Sequence, residues 1–431
     1  MAPRSGQTRG AEARVATPKT AMQRLERWMP AAVRNVIETL AEHGARAVLV
    51  GGGVRDAFLG RAAPDWDVAT DATPESVASF FRRVARTGEQ HGTIMVLTGD
   101  VPVEVTTFRG EGPYLDGRRP SHVVFLTELE ADLARRDLTI NAMAYDVVQR
   151  RIVDPFEGLA DLRAARVRCV GKAAERFAED GLRPLRAARF AATLGFDVEA
   201  ETAAAMHSAL ATFERVAWER KRVEMEKLLG QGVRLATPIS LLESSGMLGA
   251  IAPELVGVAA EADRLLEVPR DPWLRFAAWA ALRGIDASVA GAIATRWRAS
   301  KQDARRAEQA VAALMSLDKA TPPSGAGLRR WVAEHGWSAA SDAGELACVL
   351  ASPSYQRFPT ALRRLAAAKP PLAVADLAID GTDLAALGFA GPAIGATLKK
   401  LLAVVLENPG HNARDTLLEA AKRLSTADSH M

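Results

Sequence analysis

The sequence predicts an α+β chain: a small mixed-sheet head followed by an all-helical remainder. Strand-like runs cluster at 47–50, 65–70, 94–98, 101–108 and 123–126, all in the first third of the 431 residues. From about residue 158 an alanine-rich, leucine-punctuated pattern at helical spacing takes over and continues to the end. The composition, 48% hydrophobic and 25% charged, is that of a globular chain with room for two to four domains.

Composition also narrows the class. A net charge of +3 is too small to signal nucleic-acid binding by itself, although it permits local basic faces. Cys169 and Cys348 build neither a disulfide framework nor a metal cluster, which suits a reducing, cytoplasmic setting. No apolar run reaches membrane-spanning length, and the N-terminus lacks the apolar core of a signal peptide. Residues 1 to about 20, rich in Arg, Ala, Thr and Gly, read as disordered.

In chain order, Val33, Val36, Ile37 and Leu40 recur at helical spacing between Pro30 and His43, and Gly44 stands where a helix stops. A strand over 47–50 then runs into Gly51, Gly52 and Gly53, where backbone N–H groups approach an anion with no Cβ in the way. Arg55 adds a cation for phosphate. At 65–70 the alternation puts Asp65 and Asp67 on one strand face, with Trp66 and Val68 on the other. Two such carboxylates need cationic partners, and a pair of divalent ions clamping a hydroxyl and a triphosphate is the natural one. The pattern reads as a nucleotidyl-transfer site. Alone, a glycine turn or an Asp-x-Asp strand end is commonplace; the two in this order are not.

Thr73-Pro74 reads as a cap and first turn, opening a helix through about Arg86. Strands 94–98 and 101–108 join at Gly99-Asp100, a hairpin turn. There Val101, Val103 and Val105 face one way and Glu104 the other, either as a third site carboxylate or as an ordinary exposed strand residue. The glycine-punctuated loop 110–119 has the character of an active-site lid. Breaks between helices are expected at 321–327 and at Lys369-Pro370-Pro371.

Gly-Gly-x-Val-Arg-Asp, Leu-Gly and Asp-x-Asp-x-Ala-Thr in this order resemble the first motif of bacterial tRNA nucleotidyltransferases and poly(A) polymerases, the class II branch of the polymerase-beta-type superfamily. The resemblance implies a catalytic set of Asp65, Asp67 and Glu104, with Asp65 and Asp67 holding two Mg²⁺ ions, and Gly52, Gly53 and Arg55 on the triphosphate. The run from Arg135-Arg136-Asp137 to Asn141 resembles the family's second motif, with Leu138 where Phe is usual. It implies ribose recognition near Asp137, with Arg135, Arg136 and Asn141 beside it; forked arginine donors suit phosphate and a carboxylate suits a hydroxyl.

The stretch from Glu179-Asp180 through Arg183, Arg186 and Arg189 to Phe190 resembles the base-reading motif. On one helix Asp180 and Arg183, three apart, share a face. An acceptor beside donors suits cytosine and adenine, which each present an amino group beside an unprotonated ring nitrogen, and opposes guanine and uracil. Gly181 stands where the family often has proline; if the helix starts at Pro184 instead, Arg183 lies outside it and the pairing geometry stays open.

The segment 214–229 resembles the last shared motif, a bracing helix, in which Arg220 and Arg222 are RNA-binding candidates or part of a solvated face. Near the C-terminus a glycine- and proline-rich helix start, Lys399, Lys400 and Asn412 resemble the tRNA-gripping tail of Gram-positive-type CCA-adding enzymes. The implied division is a disordered 1–20, a nucleotidyltransferase head 21–160, a base-reading neck 161–230, a helical body 231–320 and a tRNA-binding tail 321–426.

Two local features, His91-Gly92-Thr93 and the run 104–109 followed by 118–121, look like CCA-adding members. The implied activity is template-independent addition of C and A to the tRNA 3′ end from CTP and ATP. Members adding only A or only CC, poly(A) polymerases, and a catalytically inactive RNA-binding protein are the alternatives. Intact Asp65, Asp67 and Glu104 argue against the last.

Overall fold

The computed structural model describes residues 15–62, 66–98, 101–111 and 123–428. Asp65, the Gly99-Asp100 turn, residues 112–121 of the expected lid and its flank, and the first fourteen residues lie outside them. The chain forms two compact units. The first takes in everything to Leu228 together with Gly232–Ile251, and the second Leu229–Gln231 with the rest.

The first unit opens on α1 (Pro18–Trp28), capped by Thr17 and beginning just inside the stretch expected to be disordered. Helix α2 (Ala31–Glu42) buries Val33, Val36, Ile37 and Leu40, the stripe its spacing predicts. Strand β1 (Ala47–Val50) is wholly buried and leads into α3 (Gly52–Leu59). After β2 (Asp67–Thr70), Thr73 caps α4 (Pro74–Phe80) with its hydroxyl.

Helix α4 ends at Phe80, not near Arg86. The residues beyond form β3 (Val84–Gly88), which pairs with the edge of β4 (Thr93–Thr98), Val84 opposite Val96. Pairing with an open sheet edge overrides local helical preference there.

Strand β5 (Val101–Thr107) buries Val103 and Val105 and turns Glu104 outward, as predicted, whereas Val101 at the strand end is exposed. A small hairpin, β6 (Arg109–Glu111) with β7 (Val123–Phe125), precedes α5 (Leu129–Ala134). Strands β8 (Ala144–Asp146) and β9 (Arg151–Val153), which the sequence pattern did not signal, complete a seven-stranded sheet of order β3-β4-β5-β2-β1-β8-β9. It is mixed: β2 and β5 run parallel and their neighbours antiparallel. Val48, Val50, Ala69, Phe108 and Leu133 are among the residues of the core beneath.

Helices α6 (Gly158–Arg163), α7 (Ala173–Glu179), α8 (Arg183–Leu194), α9 (Ala200–Ser208), α10 (Leu210–Glu214) and α11 (Trp218–Gln231) follow. Among them is one parallel pair of two-residue strands, at 166–167 and 197–198.

Among the described residues the second unit is all helical. One cluster gathers Trp331, Ala343, Tyr355 and Phe358; another gathers Leu384, Leu401, Val405 and Leu417. The two expected breaks fall between helices: Gly325 starts one helix, and Lys369, with φ of 45°, ends another. No helix among the described residues is long and apolar enough to cross a membrane.

Candidate nucleotide-transfer site

The first unit carries a cleft of about 540 Å³ at the end of β1, the start of β2 and the neighbouring stretch of β5 from Glu104 to Thr106. Its corner is Gly51, which has φ of 74° and ψ of −135°. The backbone conformation calls for glycine, and a Cβ there would also crowd Arg136, lying 3.2 Å from its Nη1. The first N–H groups of α3 follow at once, and a helix leaves these without internal partners. Gly51 and Gly52 line the cleft; Gly53, one step further in, is not among its described lining residues.

Asp67 lies opposite Val50 on β1 and opposite Glu104 on β5. Residues paired across neighbouring strands point to the same sheet face, so the two carboxylates stand side by side, and both line the cleft. Two adjacent oxyanions repel unless a cation lies between them. Among the described residues no group of three His, Cys, Asp or Glu is arranged to hold a metal; Asp65, two residues before Asp67, lies outside them.

Behind this edge the arginines are held by buried acids. Asp132 on α5 is fully buried and accepts from Arg135 Nε at 2.9 Å, Arg136 Nη2 at 3.2 Å and the Arg109 backbone N–H at 3.3 Å. Burial pushes its carboxyl upward, but the two guanidiniums outweigh this and hold it below the usual range.

Asp137 accepts from Arg186 Nε at 2.6 Å, from the Leu138 N–H at 2.9 Å and from Asn141 Nδ2 at 3.4 Å. Here too burial opposes ionisation and Arg186 prevails, bringing the carboxyl to about 2. Asn141 Oδ1 in turn accepts from Arg55 Nη1 at 2.6 Å, and Arg55 also pairs with Asp56. The guanidiniums of Arg55 and Arg189 lie 5.0 and 3.4 Å from the centre of the Phe190 ring.

At the far end, α7 stops at Glu179 and α8 starts at Arg183, leaving Asp180 between them as the cap residue of α7. Asp180 and Arg183 therefore do not share a helical face, and each has a separate partner. Asp180 accepts from the Leu182 N–H at 2.9 Å and from Arg220 Nη2 at 2.7 Å. Arg183 donates to Glu179 at 2.5 Å and to the carbonyls of Arg176 and Arg135 at 3.1 and 3.0 Å. Both still line the cleft, while Glu179 serves from behind.

Gly181 explains the break. A Cβ at that position would meet the Thr212 backbone at 2.5 Å, so the turn fits against α10 only without a side chain.

Arg186 and Arg189 are both anchored on the buried Glu224 of α11, at 3.4 and 2.8 Å. Asp137 and Glu224 hold Arg186 more firmly protonated, whereas burial lowers Arg189. In the 220–222 run, Arg220 is taken by Asp180 and Arg222 by Glu226 at 2.7 Å. Lys221 is buried over the rings of Phe213 and Trp218.

Asp132, Phe190, Glu224 and Lys227 also belong to this site or its support, though none was given a role from sequence. Asp132 had a usable signal, an acid three and four residues before two arginines on a helix. Through the packing of α11, Lys227 lines the cleft and the buried Glu224 supports Arg186 and Arg189 from behind.

Eight of the described lining residues are Arg or Lys and four are Asp or Glu, a surplus suited to a polyphosphate. In the second unit Lys399 and Lys400 are exposed on the helix Pro392–Glu407. Asn412 instead clamps the chain around 376–378, accepting from the Ala378 N–H and donating to the Asp376 carbonyl, each at 2.9 Å.

A family model for the poly A polymerase head domain matches residues 47–168, and one for a probable RNA and SrmB-binding site of polymerase A matches residues 195–257. The CCA-adding enzyme of Lactiplantibacillus plantarum is 35% identical over 408 residues, 93% of this chain and 97% of that protein. That of Bacillus pumilus is 50% identical over 194 residues, 45% of this chain and 48% of its own length. Among solved structures, the Bacillus stearothermophilus CCA-adding enzyme in complex with CTP superimposes with a TM-score of 0.79 at 29% identity, covering 94% of this chain and all of that one.

Proposed function

The chain belongs to the CCA-adding enzymes, and from that premise we propose that its cleft adds C and A nucleotides to the 3′ end of tRNA. CTP and ATP are the donors, no template is used, and pyrophosphate leaves. The observation that carries this reading is the Asp67–Glu104 pair beside the Gly51-Gly52 turn, in the same cleft as an arginine cluster.

The donor set fits hard divalent cations. Asp67 and Glu104 offer adjacent carboxylate oxygens, the ligand type Mg²⁺ prefers. Asp65 and Asp67 are proposed to hold two ions, with Glu104 completing the site. Bound there, such ions polarise phosphoryl oxygens, lower the pKa of the attacking hydroxyl and neutralise the leaving pyrophosphate.

The chain's own residues position the reactants. The N–H groups of Gly52 and Gly53, with Arg55, Arg135 and Arg136, orient the triphosphate through charge-assisted bonds. Asp137, kept ionised by Arg186, accepts from a ribose hydroxyl, and Asn141 holds Arg55 in line.

Asp180 and Arg183 read the base edge, with Glu179, Arg186 and Arg189 fixing the surrounding charge. An amino group meets the Asp180 carboxylate and an unprotonated ring nitrogen meets Arg183, an arrangement open to C and A. Guanine and uracil turn a carbonyl toward the carboxylate and a ring N–H toward the guanidinium, a mismatch that is costly in a desolvated pocket.

A head 21–160, neck 161–230, body 231–320 and tail 321–426 remain the proposed division, with α1 opening at Pro18 just ahead of the head. Arg222, Lys399 and Lys400 are proposed tRNA contacts, and the proposed setting is the cytoplasm.

The test is release of labelled pyrophosphate from CTP or ATP, with tRNA and Mg²⁺. Asp67→Ala removes a ligand from an exposed strand end and should abolish release with little change in melting temperature. More than about a tenth of wild-type activity at saturating Mg²⁺ would sink the metal assignment, since lost electrostatic stabilisation costs on the order of 10²–10³ in rate.

A further inference from the structure

We propose that Arg220 is a specificity-determining residue that acts through Asp180, and that tRNA contact is not its role. The proposal rests on the base-reading assignment of Asp180 above. The Asp180 carboxylate sits in the turn between α7 and α8, outside either helix, where two hydrogen bonds hold it. Its Oδ1 accepts from the Leu182 N–H two residues on, at 2.9 Å. Its Oδ2 accepts from Arg220 Nη2 at 2.7 Å, a charge-assisted bond spanning forty residues of sequence.

An ionised carboxylate offers about four acceptor positions. These two bonds take one on each oxygen, fixing the carboxylate plane and directing the remaining positions. The backbone beneath is set independently, because Gly181 packs against the Thr212 and Phe213 backbone with no room for a Cβ. The turn thus has a fixed backbone and one adjustable part, the carboxylate, which Arg220 orients from α11.

Arg183 is anchored separately, through Glu179 and two carbonyls. Donor and acceptor of the base-reading edge are therefore set by different partners and can be perturbed one at a time. In the tRNA-contact alternative, Arg220 would turn its guanidinium to a backbone phosphate. Its guanidinium is instead engaged at 2.7 Å by Asp180, a carboxylate that lines the cleft, which ties it to the base-reading edge.

The experiment compares Arg220→Ala, Arg220→Lys, Asp180→Ala and the Asp180→Ala/Arg220→Ala double variant. The readouts are kcat/KM for CTP over UTP, tRNA affinity and melting temperature. Arg220→Ala should lower the CTP preference by about tenfold, the loss expected when a charged hydrogen-bond partner is removed, with tRNA affinity unchanged. Arg220→Lys, which keeps the charge but not the fork, should fall between. In the Asp180→Ala background, Arg220→Ala should have no further effect on selectivity, because the two act as one unit.

An unchanged CTP preference in Arg220→Ala overturns the proposal, whether the rate falls with tRNA affinity or with stability, as does an additive double variant. If Asp180→Ala retains full selectivity, the base-reading assignment itself fails. Loss of selectivity in Asp180→Ala but not in Arg220→Ala leaves that assignment standing and removes only Arg220.

Discussion

Replacing Asp137 by Asn removes one charge from the centre of the cleft while keeping the side chain's size. In the folded chain burial favours the neutral carboxyl, but the Arg186 guanidinium at 2.6 Å outweighs it and brings the group from 3.8 to about 2. Lowering a carboxyl by that much corresponds to about 2 kcal/mol of stability. The sign is fixed by linkage. The contribution is fully present above pH 3.8 and is lost as pH falls through 3.8 toward 2.

Asp137→Asn should therefore cost about 2 kcal/mol at pH 7. In a unit of this size that lowers the melting temperature by about 4–8 °C. The gap between wild type and variant should shrink to about half by pH 3, because the carboxyl of the unfolded chain is then mostly protonated while that of the folded chain is still mostly ionised. Differential scanning calorimetry of both proteins at pH 7 and pH 3 reads this directly, and taking the difference removes the other carboxylates that titrate in the same range. The same variant should discriminate less between ATP and dATP. An equal gap at both pH values, or none at pH 7, would refute the electrostatic account of Asp137.

Two further outcomes follow from the geometry. Gly181→Ala, whose Cβ would lie 2.5 Å from the Thr212 backbone, should destabilise the first unit by about 1–3 kcal/mol, measured by urea unfolding. Lys399→Ala/Lys400→Ala should weaken tRNA binding while leaving CTP binding intact, and should flatten the slope of log affinity against log salt by about 1.4–1.8; an unchanged slope would move the grip elsewhere.

The sequence made the head legible where chemistry and pattern coincide. The run into Gly51, the alternation at Asp67 and the outward Glu104 were all visible because a strand's period assigns each side chain to a face. What it hid was tertiary. Residues 84–88 read as a helix end until β4 supplied an edge to pair with. The short strands β8 and β9 lack enough residues to show a period.

At the site, motif spacing brought out Asp180 and Arg183, and also Glu179 and Arg220, but not which of them pair. The separation of three between Asp180 and Arg183 suggested a helical face, and only the fit of Gly181 against α10 shows why the helix breaks between them. Glu224 and Arg220 enter from α11, some forty residues away, a distance at which sequence carries no geometric signal.

The central claim, one cleft adding both C and A without a template, is tested most directly with a tRNA lacking its last three nucleotides. The tRNA is incubated with Mg²⁺ and with CTP, ATP or both, and product lengths are read on a sequencing gel. Two added residues with CTP alone, three with both nucleotides, and none with UTP or GTP are the predicted outcome. A single A on a CC-ended tRNA with no use of CTP, arrest at CC with both nucleotides present, or a long A tract would contradict it.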